Sequence, residues 1–563
     1  MTDIRRTILW VIFGFSMVLL WDQWQVFNGH PATFFPQPAK PSASAPARAG
    51  SSSVPSASSA TPAPAGATAS TVPGAPPTAP AAAQAEKIVV TTDTMVLTFS
   101  TEGGSLVRTE FLKERSDDRK SNFVLLNEEA GHVYVAESGL IGGDFPNHKT
   151  VMAFSGDKQL KDGQDAMTVR FESPEKGGLK LVKTYTLKRG SYEVQVKHEV
   201  INTGAQSVTP QLYLQIVRDT SKLSSGSSFY STFTGPAVYT GEKHFQKVEL
   251  ADIDKNKADF QKESTSGYVA MVQHYFASAW ILPQGTKREV FVRKLPETSS
   301  YAVGMIAPLP PVAAGGKQAV DARFFAGPED ERELEKIEPG LELVKDYGVF
   351  TIIAKPLYWL LAKLHGFLGN WGWSIMALVL LIKIAFYWLQ AKGYESMAKM
   401  KAINPKVMAI RDRYKDEPQK MQTEMMRIYK EEKVNPMGGC FPILIQIPVF
   451  IALYWVLLSS VEMRGAPWIL WIKDLAEPDP WFILPVVMTI STLIQTALNP
   501  APPDPVQAKM MWFMPLAFSV MFFFFPSGLV LYWVTNNILS IAQQALINHR
   551  MGVPVQFNLP KFS

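Results

Sequence analysis

The sequence predicts a polytopic α-helical membrane protein, with six transmembrane helices and a large extracytoplasmic antiparallel β-sandwich domain. Three observations lead there. Apolar runs near spanning length occur once at the N-terminus and five times in the C-terminal part; a bilayer core takes about 20 apolar residues per helix. From Lys87 to about Glu338, apolar and polar residues alternate with period two, as in strands with one buried face. Lysine and arginine crowd into one loop, residues 391–436, which marks one side of the membrane. The 47% hydrophobic share averages a soluble half and an apolar half, and a net charge of +5 gives no reason to expect nucleic acid as a direct partner. The single cysteine, Cys440, excludes an intrachain disulfide, so the extracytoplasmic domain must be stable without one.

Arg5 and Arg6 precede the first apolar run, Ile8 to Leu20. Trp21, Asp22, Gln23 and Trp24 follow it where a signal peptide would carry a small-residue cleavage site. Trp10, Trp21 and Trp24 suit interfacial anchors. Residues 1–29 therefore read as an uncleaved span with a cytoplasmic N-terminus. Residues 30–86, built of Pro, Ala, Ser, Thr and Gly, cannot bury enough apolar surface to order and read as a flexible linker.

The β domain is assigned residues 87–340. KIVVTTDTMVLTFS, DAMTVRFES, LKLVKTYTL and SYEVQVKHEVIN alternate, with turn signals at Gly103-Gly104, Gly177-Gly178, Arg189-Gly190 and Asn202-Thr203-Gly204. His198 and His274 lack metal-ligand spacing and read as surface or satisfied residues. Residues 346–367 are apolar but interrupted by Lys355, Pro356, Lys363 and His365. They read as an amphipathic helix in the membrane interface, too charged and broken to span.

Five spans follow: residues 371–390, 440–460, 481–498, 510–525 and 529–547, the last two separated by the turn Pro526-Ser527-Gly528. Residues 510–525 reach only about 24 Å as a helix, short of a core of about 30 Å. Residues 391–436 carry Lys392, Lys399, Lys401, Lys406, Arg411, Arg413, Lys415, Lys420, Arg427, Lys430 and Lys433, whereas residues 461–480 carry only Arg464 and Lys473. The first loop is therefore cytoplasmic, as are both termini and the tail, residues 548–563, while the β domain lies outside. Within the loop, Asn404-Pro405 and Asp416-Glu417-Pro418 signal helix starts and predict a helical hairpin. Met421, Met425 and Ile428 share one face, which either receives partners or packs the hairpin on itself.

The first of these five spans contains Lys383. A lysine at a helix centre costs about 2.5–3.5 kcal/mol on insertion scales, and an intramembrane charge suggests a functional site. Alternatively, at about 1.5 Å rise per residue, Lys383 lies roughly 10 Å from the Gln390 end and could snorkel. Gln446, Gln495, Ser519, Thr535 and Asn536 also fall at membrane depth and could line a wet cavity with it, each lone Gln or Asn being alternatively a helix–helix hydrogen bond. Pro442, Pro448, Pro485 and Pro515 would loosen the bundle or be tolerated kinks. There is no Walker A loop, HExxH or GxSxG, so no enzyme, cofactor or metal is expected.

The cytoplasmic loop runs into KVNPMGGCFPILIQIPVFIALYWVL, and the last spans read MPLAFSVMFFFFPSGLVLYWVTNNILSIAQQ. Together with the order of domains, these stretches resemble the YidC/Oxa/Alb membrane-insertase family in its Gram-negative form. The resemblance implies a chaperone and insertase of the bacterial inner membrane, with a periplasmic supersandwich domain and a hydrophilic groove open to cytoplasm and lipid. Lys383 takes the groove-charge position, where many members carry arginine; the charge is kept and the bidentate fork is lost. The resemblance also implies that client helices slide along the third and fifth spans, which points to Ile447, Pro448, Met521 and Phe522, with Trp533 in the sixth. The partners it implies are nascent membrane proteins, the Sec translocon, ribosome or targeting factors, and membrane lipids. The residues alone leave two alternatives: a channel or secondary transporter for an anionic solute at Lys383, though no internal repeat favours it, and a sugar- or peptide-binding receptor with the β domain as the active part.

Overall fold

The structure is a computed structural model that describes residues 85–116, 119–220, 233–295, 299–414, 417–432, 441–499 and 505–552. The expected first span, the linker to residue 84, the loop end at Lys433 and Cys440, and the tail from residue 553 lie outside the described residues. Two compact units divide at Lys345 and Asp346.

The first unit consists of a ten-stranded and a nine-stranded sheet whose ladders are antiparallel. Period-two alternation sets which side chains go inside. In Glu193–Asn202 the buried residues are Val194, Val196, His198, Val200 and Asn202. The stretch KIVVTTDTMVLTFS is a hairpin, Lys87–Thr91 paired with Met95–Ser100. At Gly103 and Gly104 φ is +70° and +57°, as the tight turn into Ser105–Arg115 requires. The two sheets are joined across the core by the Trp280 indole, which donates to the Gln215 carbonyl at 3.1 Å, and by the Tyr134 and Ser278 hydroxyls at 2.9 Å.

His198 is not a surface residue. It lies on the inward register of its strand, fully buried, with Nε2 2.9 Å from Ser138 Oγ. His274 is half-buried and stacks on Tyr275. Among the described residues no group of three or more His, Cys, Asp or Glu could hold a metal.

The second unit is helical. Helix α1 (Thr351–Leu368) buries Ala354, Tyr358, Leu361 and Ala362 along one stripe and ends at Gly369, φ +67°. It is one continuous helix, as read from the sequence, and Pro356 does not break it. The proline sits in the second turn, and the carbonyl it leaves unbonded belongs to Ile352, an exposed residue. Asn370 caps α2 (Trp371–Ala385), accepting from the Trp373 N–H at 3.2 Å.

Residues 371–390 do not form one straight helix. Phe386 adopts φ −97°, ψ 11°, outside the helical well, and the axis bends by 70° into α3 (Tyr387–Arg413). Helix α4 (Pro418–Glu431) completes the hairpin. Helices α5 (Phe441–Ser459), α6 (Ile483–Leu498), α7 (Pro505–Met521) and α8 (Ser527–Arg550) follow. At the head of α6, the buried Asp479 carboxylate accepts from the Trp481 and Leu484 N–H groups at 3.0 and 2.7 Å. Helix α7 stops at Met521 and tightens into a 3-10 turn, Phe522–Phe524, so the expected span 510–525 is not helical to its end. Leu361, Ile375, Leu378, Leu453, Val456 and Leu529 belong to a core shared by α1, α2, α5 and α8. Among the described residues no single helix is long and apolar enough to cross a membrane; the bent pair α2 and α3 together reach that measure.

Candidate functional site

Lys383 continues the stripe of α2 that turns inward. Trp371, Ile375, Val379 and Lys383 recur every fourth residue, and all are buried. Lys383 is only 7% exposed, so it does not snorkel out of the bundle. Its ammonium donates to Ser540 Oγ on α8 at 2.7 Å and to Gln390 Oε1 on α3 at 3.3 Å. The Ser540 hydroxyl in turn donates to the Asn536 carbonyl at 2.7 Å. Both acceptors are neutral, and among the described residues no carboxylate lies at ion-pair distance from Lys383. A buried charge held only by neutral dipoles has a strong residual demand for an anion.

The ammonium borders a cleft with about 450 Å³ of empty space, its mouth included. Val379, Ile382, Phe386, Leu389, Val449 and Tyr532 form greasy walls, and Lys383, Gln390, Gln446 and Asn536 form a polar strip. Gln446 on α5 donates to Asn536 Oδ1 on α8 at 2.8 Å. Tyr532, Asn536, Ser540 and Gln543 follow at steps of four, four and three along α8, so one face of that helix carries the strip. Gln543 donates to the Tyr387 carbonyl at 3.4 Å, beside the bend. The neighbouring Asn537 points elsewhere, to Ser491 and Thr492 on α6 at 3.1 and 2.8 Å.

Of the polar residues expected at membrane depth, the cleft gathers Lys383, Gln446 and Asn536 and leaves out Gln495, Ser519 and Thr535. The Ser519 and Thr535 hydroxyls donate to the carbonyls of Pro515 and Leu531, each 2.8 Å away on their own helix, so they need no wet cavity. Gln495 is half-buried on α6. Gln390, Ser540 and Tyr532 are additions. Ser540 and Tyr532 each lie one helical step from Asn536, a spacing the sequence already contained.

Among the expected client-contact residues, Ile447 is exposed, and Pro448, Met521 and Trp533 are half-buried. Phe522 is only 5% exposed: the turn after α7 folds it inward against Trp533, at 5.1 Å between ring centroids. It therefore does not present itself to a client as expected. On the hairpin, Met425 and Ile428 pack on Ile403 and Val407 of α3, and Met421 is half-buried.

Two family models cover this architecture. One, described as the YidC periplasmic domain, matches residues 87–360; the other, described as a 60Kd inner membrane protein, matches residues 363–553. The membrane protein insertase YidC of Cupriavidus necator is 56% identical over 553 residues, 98% of each chain. That of Burkholderia cenocepacia is 54% identical over 554 residues, 98% of this chain and 99% of the relative. A solved structure described as an active YidC insertase with its first transmembrane domain resolved aligns at a TM-score of 0.38 and 19% identity, over 81% of this chain and 91% of that one.

Proposed function

The chain belongs to the YidC family of membrane protein insertases, and from that premise we propose that it inserts, folds and helps assemble inner-membrane proteins through the cleft at Lys383. The observation that carries this reading is the buried Lys383 ammonium, bonded among the described residues to neutral Ser540 and Gln390 at the wall of an apolar cleft.

The cleft lowers the cost of carrying a short polar or acidic segment partway across the bilayer. The segment's charge meets Lys383 while its apolar part meets the greasy walls and then lipid. The driving force is burial of the client's own apolar span, about 25 cal/mol per Å² removed from water. The membrane potential adds about 2.3 kcal/mol per charge per 100 mV for an acidic segment moving outward. No nucleotide, metal or other cofactor enters this scheme, and no covalent chemistry is asked of the protein.

In this reading six helices span the inner membrane with both termini in the cytoplasm. Helix α1 lies in the interface. The exposed apolar residues of α6 and α7, among them Ile490, Ile494, Phe513, Leu516 and Phe518, meet lipid. The basic hairpin of α3 and α4 faces the cytoplasm, where ribosome or targeting factors approach. Clients arrive directly or from the Sec translocon. A photoreactive side chain at Val449 or Ile382 tests the assignment. Crosslinks to a stalled nascent membrane protein are expected, and crosslinks to lipid alone would count against it.

A further inference from the structure

We infer that Gln390 is a displaceable internal partner of the Lys383 ammonium, holding the place that the carboxylate of an entering acidic segment takes. The inference rests on the reading of Lys383 as the groove charge and adds a selectivity element to it.

The two acceptors of Lys383 are unequal. Ser540 is 1% exposed and 2.7 Å away. Its hydroxyl lies 2.7 Å from the Asn536 carbonyl and also meets the Tyr394 hydroxyl, so Ser540 is held on both sides while its oxygen accepts from the ammonium. Gln390 is at the long distance of 3.3 Å, lines the cleft, and stands on the far side of the 70° bend, at the end of a side chain with three rotatable torsions. Its amide Nε2 donates to no acceptor among the described residues. The third ammonium proton likewise has no acceptor among them.

A carboxylate entering the cleft makes a charge-assisted bond to the ammonium, about twice as strong as a neutral one. It therefore outcompetes the Gln390 carbonyl but not the locked Ser540. Rotating aside toward the open mouth of the cleft, Gln390 gives its amide to water, so no buried polar group is stranded and the displaced Lys383–Gln390 bond is the cost of entry. A neutral polar tail gains no such advantage and leaves Gln390 in place. The pair thus admits acidic segments selectively while the resting ammonium stays partnered.

The test uses the full chain reconstituted in phosphatidylethanolamine–phosphatidylglycerol vesicles, with two client proteins differing by one Asp or Asn in a short translocated tail. The readout is the acidic-to-neutral insertion ratio by protease protection. Gln390→Glu places a permanent carboxylate beside Lys383 and should bring the ratio down to that of Lys383→Gln. Gln390→Ala removes the competitor and should raise it by about threefold to tenfold, the worth of one hydrogen bond. Neutral-client insertion within about twofold of wild type reports an intact fold; if Gln390→Glu misses that mark, Gln390→Ala alone decides. A wild-type ratio in Gln390→Glu, or an unchanged one in Gln390→Ala, overturns the inference provided Lys383→Gln has lost the ratio. If Lys383→Gln keeps the ratio, the reading of the groove charge itself fails.

Discussion

Gln390 Oε1 lies 3.3 Å from the Lys383 ammonium although seven residues separate them along the chain. A straight α-helix would set the two about 10.5 Å apart along its axis. The 70° bend at Phe386 turns the start of α3 across the end of α2 and shortens that separation. The bend therefore does what snorkelling would otherwise do: it gives a deep lysine a polar partner without exposing it.

If that charge recruits acidic tails, its sign matters more than its shape. Lys383→Arg should keep insertion of acidic-tailed clients within about threefold of wild type, because electrostatic attraction survives the change of geometry. Lys383→Glu should lower it by about tenfold or more, since like charges at contact repel by up to about 4 kcal/mol at an effective dielectric of 20. Paired insertion assays decide the point; equal insertion by the two variants would remove the groove charge from the mechanism.

Ser540 is the fixed half of the ammonium's shell, so its loss should be felt as stability whatever the client. Ser540→Ala removes a buried bond to a charged group, worth about 1.5–3 kcal/mol. Gln390→Ala removes a longer one and should cost less. Thermal melts of the full chain in detergent should rank wild type above Gln390→Ala, and Gln390→Ala above Ser540→Ala. The reverse order would mean that the shorter bond is not the anchoring one.

Much of this was legible in the sequence because two periods carry the fold. Period two placed the strands, and the same period, followed through Val196 and Val200, carries His198 to the inward face that the reading of it as a surface or satisfied residue left open. Period four put Lys383 on the stripe of Trp371, Ile375 and Val379. The bend was not legible: residues 380–390 contain neither proline nor glycine, and the break rests on one backbone conformation, at Phe386. Composition also could not tell a hydroxyl that faces a cleft from one that bonds its own helix. Ser540 bonds both toward the cleft and to its own helix, whereas among the described residues Ser519 and Thr535 bond backward only. The client contact at Phe522 comes from the family resemblance alone, which does not register the turn after Met521 that carries this side chain inward.

The β domain should be removable as a whole and not in part. Strands Ser300–Pro308 and Lys317–Pro328 lie in the interior of the two sheets, each paired on both sides. A deletion ending at Ser300 would strand both with their apolar faces bare, inviting aggregation. Removing residues 87–340 avoids this and should leave insertion of a simple client within about threefold of wild type. Loss of insertion in that clean deletion, with the protein still present in the membrane, would return the β domain to the centre of the function.

Acid should destabilise the β domain. His198 is fully buried against Ser138, and burial, helped by the Lys183 charge, holds its pKa down at about 3. His148, bonded through Nδ1 to the Tyr213 hydroxyl, is held at about 3 by burial and by Lys149 and Lys183. Unfolded, both titrate near 6.5. Between about pH 6.5 and 3 the unfolded chain thus binds protons that the folded domain refuses, so stability falls as pH falls through that window. Lys183, which donates to the Gly103 and Ser138 carbonyls, is pushed down to about 7 by burial. It adds stability as pH rises from about 7 toward 10.5, the same direction. Glu137, raised by burial, opposes them above its ordinary value, because folded it keeps a proton that the unfolded chain has released. With three groups against one, β-sheet circular dichroism of the full chain should show a higher melting temperature at pH 8 than at pH 5. His198→Gln, which keeps a hydrogen-bonding group toward Ser138 but cannot titrate, should flatten the slope between pH 6.5 and 4 by about one proton's worth, about 1.4 kcal/mol per pH unit. An unchanged slope in that variant would mean that His198 is not the group that acid attacks.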